Sequence, residues 1–268
     1  MRVVVTGASG RLGLRVTARL SRDGHDVTRV TSPRASFGTP LDLTVSDAPG
    51  VLAAARPEVI VHLAGVMARG DAPDWTLNRR MTAAVTDAAL TSGARVILAS
   101  TAAVYGDQRV RPAREADVTD GLAGYGHSKL ESEAVILGAP ESVALRIFNI
   151  HGPGFDDSLV ARLLTSSPET PVQLRGPDDF VRDYVHADEV ARVISQLAGS
   201  PLPAPHLSLN VGSGIAVSNR RLLDLVGRVH HPSYVPVDGG PSYSVADMDA
   251  TTTLLGFTPA SLLPGERP

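Results

Sequence analysis

Residues 2–6 form a short run rich in valine, and the chain passes from them through Gly7, Gly10 and Gly13 into a stretch where Leu12, Val16 and Leu20 keep helical phase. This opening constrains the fold more than any other feature. A short apolar run followed by a tight turn into a helix is a buried strand beginning an α/β unit. The glycine turn brings backbone N–H groups and the positive end of a helix to one point, where small residues let a diphosphate approach closely. The spacing is G-x-x-G-x-x-G rather than the G-x-G-x-x-G of the general dinucleotide fingerprint. A dinucleotide is therefore expected at Gly7, Gly10, Arg11, Leu12 and Gly13.

The alternation continues along the chain, with strands expected at 26–31, 59–62 and 96–100 and helices near 46–55, 75–92 and 125–137. Ligands of open α/β sheets gather at the carboxyl ends of the strands, so the residues there are read for chemistry. The second strand ends in Thr31, Ser32, Pro33 and Arg34, where many NAD sites place a carboxylate for the ribose 2′-hydroxyl. Here no carboxylate repels a 2′-phosphate; Ser32 can donate to one, and Arg34 and Arg11 can offer guanidinium groups. NADP(H) is thus preferred, with NAD(H) possible. Asp42 and Leu43 are placed to bracket an adenine, and Leu63, Ala64 and Gly65 to let the cofactor pass over a strand end.

Among the 25 Lys and Arg residues only Lys129 is a lysine. It follows Tyr125 by four positions on an expected helix, which sets a phenol and an ammonium side by side. A neighbouring cation favours the phenolate, so the spacing predicts a Tyr125 pKa drawn from about 10 towards neutrality, as suits a general acid/base. Thr101, at the end of the strand 96–100, is the hydroxyl expected to work beside it.

At 268 residues the chain can bury one large α/β domain, with or without a modest appendage. A net charge of −3 with interspersed signs offers no face for nucleic acid. The absence of cysteine removes disulfides, thiolate zinc sites and cysteine nucleophiles. No apolar run is long enough for a signal peptide or a membrane span, so a soluble cytoplasmic protein is expected. His230 and His231 are adjacent and point apart, which disfavours metal chelation, and no metal is expected. His127 is expected to face solvent or substrate, and Trp75 to pack or lie at an interface.

A set of motifs in order resembles the extended short-chain dehydrogenase/reductases, in their sugar-nucleotide epimerase/dehydratase branch. They are Thr6 with Gly7, Gly10 and Gly13; His62, Leu63, Ala64 and Gly65; Ser100 and Thr101 with Val104, Tyr105 and Gly106; and Tyr125 with Lys129. Downstream follow Arg146 and Asn149 with Gly152, Pro153 and Gly154; the run from Arg182 to Ala191; Asn210, Gly212 and Gly214; and Leu255, Gly256, Phe257 and Pro259. The resemblance implies a Rossmann-type doubly wound parallel sheet with a small C-terminal substrate-binding lobe. Residues 1–150 would hold the cofactor and 151–268 mainly the substrate, with 183–214 returning to the sheet. It implies Tyr125 as acid/base, Lys129 as its activator and ribose ligand, and Thr101 as the hydroxyl orienting the substrate oxygen. Ala102 and Tyr105 would lie beside the substrate, with His151 and Phe180 near the sugar. Asn149 and Arg182 would lie near its diphosphate, while Asp183 is either part of that site or a structural ion partner of Arg182. A homodimer through helices near 75–92 and 125–138 is implied as well.

Departures from the pattern narrow the expectation. Dehydratases of the family carry an Asp-Glu pair after the threonine, and this chain has Ala102 and Ala103, which move no protons. The family's further arginine before its last helix is missing, since residues 235–249 contain none. With the end of the second strand, these features point to an NADPH-dependent ketoreductase acting on a nucleotide-linked 4-keto-6-deoxyhexose. A sugar-nucleotide 4-epimerase is the alternative, and a non-catalytic NADP-binding regulatory protein a third, disfavoured by the intact Thr, Tyr and Lys set.

Overall fold

The computed structural model describes residues 1–67, 73–106, 110–119, 124–260 and 262. The chain opens with β1 (Arg2–Thr6), α1 (Arg11–Arg22), β2 (Asp26–Thr31), β3 (Thr39–Pro40), α2 (Ala48–Ala54), β4 (Val59–His62) and α3 (Thr76–Ser92). Next come β5 (Arg95–Thr101), a 3-10 turn (Ala102–Tyr105), α4 (Tyr125–Ile136), β6 (Glu141–Ile147), β7 (Asn149–His151) and α5 (Leu159–Leu164). The remainder is β8 (Val172–Leu174), β9 (Phe180–Arg182), β10 (Tyr184–His186), α6 (Ala187–Gly199), β11 (His206–Val211), β12 (Val217–Ser218), α7 (Asn219–Gly227), β13 (Tyr234–Pro236), β14 (Ser242–Ser244) and α8 (Asp249–Leu255).

Seven strands form one sheet in the order β11-β6-β5-β4-β1-β2-β3, and every pairing in it is parallel. The alternation of strand side chains explains why both faces are apolar. Val3, Val5, Val59, Val61, Ile97, Val143 and Leu145 point to one side, where Val16 and Leu20 of α1 and Val190, Ile194 and Leu197 of α6 cover them. Val4, Ile60, Val96, Leu98 and Ala144 point to the other, beneath Leu52 of α2, Val85 and Ala89 of α3 and Ile136 of α4. This is the doubly wound fold the sequence predicts, with strand order reversing between β1 and β4.

A smaller assembly follows the sixth strand of that sheet. Val160 and Leu163 of α5, Val172 of β8, Tyr184 of β10, Val217 of β12 and Leu222 and Val226 of α7 share their own apolar cluster. Short pairings join β8 to β13, β9 to β12 and β14, and β7 to β10. Through these, residues far apart in sequence meet opposite the carboxyl edge of the large sheet.

Candidate active site

Between the large sheet's carboxyl edge and the second cluster lies a cavity of about 1260 Å³. A single small-molecule site occupies roughly 300 to 1000 Å³, so this one has room for a dinucleotide and a second ligand together. Its floor is the glycine turn. Gly7 has φ +69, and a Cβ there would lie 2.6 Å from the Ala64 backbone nitrogen, so only glycine lets the turns after β1 and β4 pass this closely. Gly10 and Gly13 line the cavity with Arg11 and Leu12, and Leu63, Ala64 and Gly65 continue the wall. His62 is buried behind them, meeting Thr6 Oγ1 at 2.7 Å and Thr82 Oγ1 at 3.2 Å; burial pushes its imidazole down to about 3.

Ser32 and Arg34 after β2, and Asp42 and Leu43 after β3, also line the cavity. Thr31 turns inward and donates to the Phe37 carbonyl at 3.0 Å. Arg34 is exposed. Arg11 departs from expectation: it is ion-paired with Asp157 and stacks over the Phe155 ring at 4.9 Å. It is therefore committed to the loop before α5 rather than free for a 2′-phosphate. Asp42 accepts from the Thr44 backbone and hydroxyl at 2.9 and 2.7 Å, and these bonds hold its carboxyl below the usual range.

Thr101, Tyr125 and Lys129 meet on one wall. The helical spacing does what it predicts geometrically: the Lys129 ammonium lies 5.9 Å from the Tyr125 ring centroid and donates to the Ala99 carbonyl at 2.9 Å. The electrostatic expectation is corrected. Burial pushes the Tyr125 phenol up and pulls Lys129 down to about 8, because loss of water penalises both charged forms. Trp75 packs on Tyr125 with ring centroids 5.7 Å apart. Thr101 Oγ1 accepts from the Ala103 backbone at 3.2 Å, which leaves its own proton free to point into the cavity.

Several expected substrate neighbours lie elsewhere. Ala102, the first residue of the 3-10 turn, is buried in the core. Tyr105 is buried too: its hydroxyl donates to Asn210 Oδ1 at 2.8 Å and accepts from Arg146 at 3.0 Å, so it is a strut under the site. His151 is buried edge-on against His186, centroids 5.2 Å apart. Asp183 is fully buried and accepts from Ser213 N, Ser213 Oγ, Gly214 N and Ala246 N at 2.6, 2.7, 2.9 and 3.1 Å. It clasps two backbone segments, 213–214 and 246, rather than pairing with Arg182. His127 is exposed, and His230 contacts the Ser166 carbonyl. Among the described residues no cluster could hold a metal ion, and no helix is long and apolar enough to cross a membrane.

Asn149, Phe180 and Arg182 do line the cavity. Asn149 Nδ2 donates to the Asp183 carbonyl at 2.9 Å. Arg182 lies 3.7 Å over the Phe180 ring and donates to Ser242 Oγ at 2.7 Å, which fixes its guanidinium before any ligand arrives. Arg162 of α5 and Arg175 after β8 share this wall and were not singled out from the sequence. Their only signal was being arginines in a segment facing the substrate lobe. Asn78 was also missed: it accepts from Val66 N at 2.7 Å and donates to Ser128 Oγ at 3.0 Å, tying the turn after β4 to α4.

The sequence pattern of the NAD dependent epimerase/dehydratase family matches residues 3–212. The chain belongs to that family. A UDP-glucose 4-epimerase of Mycolicibacterium smegmatis is 28% identical over 295 residues, covering 97% of this chain and 94% of the relative. A dTDP-4-dehydrorhamnose reductase of Sinorhizobium fredii is 30% identical over 181 residues, covering 64% of this chain and 59% of its own length. Among solved structures, MoeE5 in complex with UDP-glucose and NAD superposes with a TM-score of 0.81 at 27% identity, covering 98% of this chain and 95% of that one. In this member of the family three cavity-lining glycines open on the first turn of α1, a geometry with room for a dinucleotide's diphosphate.

Proposed function

We propose that the chain is a nucleotide-sugar 4-epimerase that removes hydride from a hexose carbinol carbon and returns it to the other face of the same carbon. The observation that carries this reading is one cavity lined by the glycine turn, by Thr101, Tyr125 and Lys129, and by Arg162, Arg175 and Arg182. A relative that covers 97% of this chain is a UDP-glucose 4-epimerase, and a neighbour that holds UDP-glucose with NAD supports the same substrate class. Residues 1–150 then serve the cofactor and 151–268 mainly the substrate, with 183–214 returning to the sheet.

When bound, the dinucleotide supplies the hydride acceptor and donor. Tyr125 Oη takes the carbinol proton as hydride leaves and gives it back when hydride returns, so the enzyme ends each turnover unchanged. Lys129, the cation beside the ring, favours the phenolate in the first step. Thr101 donates its free proton to the carbonyl oxygen that forms between the two steps. The arginines hold the diphosphate by charge-assisted hydrogen bonds, a role that needs none in residues 235–249. The exposed Leu90 and Leu137, on the paired helix α3 and just past α4, support a homodimer through that face.

An NADPH-dependent ketoreductase acting on a nucleotide-linked 4-keto-6-deoxyhexose is the second reading, favoured by the carboxylate-free end of β2 at Thr31 to Arg34. The experiment incubates purified protein with UDP-galactose and NAD, following UDP-glucose by NMR, and in parallel with NADPH and the keto-sugar nucleotide, following NADPH absorbance. Interconversion without net cofactor use supports the epimerase; stoichiometric NADPH consumption replaces it with the reductase. In either case Tyr125→Phe is expected to lose about 10²- to 10⁴-fold in kcat while still binding cofactor. Equal turnover by that variant would remove the catalytic reading.

A further inference from the structure

The helix that carries Tyr125 and Lys129 presents a third ionisable side chain on the same stripe. Glu133 follows Lys129 by four residues, as Lys129 follows Tyr125. The proton transfers described above do not use it, yet it is held from two sides. Its Oε1 accepts from the Ser100 hydroxyl, and Arg146 donates to it from Nε at 3.2 Å and from Nη2 at 2.8 Å. Arg146 continues to the Tyr105 hydroxyl and the Glu115 carbonyl, each at 3.0 Å, so the carboxylate is anchored in a buried network.

The place of the anchor matters. Ser100 sits between Ala99, whose carbonyl receives the Lys129 ammonium, and Thr101, whose hydroxyl faces the cavity. Around Lys129, its own helix contributes Tyr125 and Glu133, β4 contributes His62, and β6 contributes Arg146 behind the carboxylate. On the side of α3 stand the uncharged Asn78 and Thr82. Of these groups Glu133 is the one that opposes the neutralising effect of burial on the ammonium.

We propose that Glu133 is a positioning residue: held against β5 by Ser100 and against β6 by Arg146, it keeps Lys129 charged at neutral pH and ties the Tyr125–Lys129 face to the strand end carrying Thr101. This rests on the role given to Lys129 above, and its test needs no substrate. Because Lys129 is the sole lysine, protein grown on lysine labelled with carbon-13 at Cε gives one lysine side-chain signal, whose pH titration reports this ammonium alone.

The wild-type midpoint is expected at about 8. Glu133→Gln is expected to lower it by about one pH unit, a tenfold loss of proton affinity. Ser100→Ala keeps both ions and frees the carboxylate to swing towards Arg146, so a smaller fall in the same direction is expected. The alkaline limb of kcat should move with each midpoint while KM changes little, which a purely structural role would not produce. An unmoved midpoint in folded Glu133→Gln protein overturns the proposal, and if that variant does not fold, an unmoved midpoint in Ser100→Ala does so alone. Midpoints that shift as expected in a protein inactive on every nucleotide sugar would refute the functional reading and leave the role of Glu133 standing.

Discussion

Gly13→Ala is the perturbation whose consequences can be worked furthest from the structure. A methyl group at Gly13 would lie 2.2 Å from the Gly7 carbonyl oxygen, 2.8 Å from Ala8 Cα and 2.9 Å from the Ala8 carbonyl carbon. Non-bonded heavy atoms rest about 3.5 Å apart, so the worst overlap exceeds an ångström, and the atoms it meets are backbone that cannot rotate away. Relief requires α1 to move off the turn by about 1 Å, an overpacking cost of about 1–3 kcal/mol. The same movement withdraws the first N–H groups of α1 from the diphosphate. Losing one such bond to a charged group costs about 1.5–3 kcal/mol, which is roughly ten- to a hundredfold in cofactor affinity. The assay titrates NADH and NADPH by nicotinamide fluorescence and follows urea unfolding of the same samples. Gly50→Ala in α2 is the matched control: nothing lies within 4 Å of its Cβ, so it should gain about 0.5–1 kcal/mol with no change in cofactor binding. A Gly13→Ala protein with wild-type stability and cofactor affinity would refute the reasoning that places the diphosphate at this turn.

Three further outcomes follow from named contacts. Asp183→Ala leaves three backbone N–H groups and a hydroxyl without their acceptor, at about 1–3 kcal/mol for each one that water cannot reach; a loss of at least about 3 kcal/mol in urea unfolding is expected, and a loss under 1 would show the clasp to be dispensable. Arg34→Ala should weaken NADPH about tenfold and leave NADH unchanged, whereas equal effects on both would remove Arg34 from the 2′-position. His62 and His151 have folded pKa values lowered by burial to about 3 and about 4. The unfolded chain therefore binds their protons first, near pH 6.5, so stability is full above that and falls by about 1.4 kcal/mol per pH unit per histidine as the pH drops towards the folded values. Urea midpoints that stay flat from pH 7 to 5 would contradict this.

The elements of the large sheet were legible because their sequence signal is local. Residues 2–6, 26–31 and 59–62 are bounded in the structure as the sequence predicts, and burial on both faces is why the runs 2–6 and 59–62 hardly alternate. The glycines were legible for the same reason, since Gly7 and Gly13 are set by neighbours within a few residues or by one adjacent strand. The second lobe was not. Arg162 and Arg175 reach the cavity only through the packing of α5 on α7 and the pairing of β8 with β13, and pairings between distant segments leave no period in the chain. Tyr105 was misplaced by a finer version of this problem: its motif gives the right strand end, but the 3-10 turn buries the ring against Asn210 and Arg146 rather than in the cavity.

The Tyr125–Lys129 pair marks where legibility stops for a physical reason. Spacing fixes which side chains are neighbours, and it put the ammonium beside the ring. The sign of the resulting pKa shift depends on a competition that spacing does not contain: attraction between phenolate and ammonium, against the loss of water around both. With Lys129 5% exposed and donating to a backbone carbonyl, the second effect prevails in the protein without ligands. Burial thus keeps the Tyr125 phenol neutral, while Lys129, drawn down only to about 8, stays largely protonated at neutral pH. For the same reason the half-buried Glu133 carboxylate one turn further along the helix has something to do. Without Glu133 nothing among the charged neighbours named above would favour the ammonium over the neutral amine, and burial alone would set the charge of the one lysine in the chain, which no arginine lets its surroundings do.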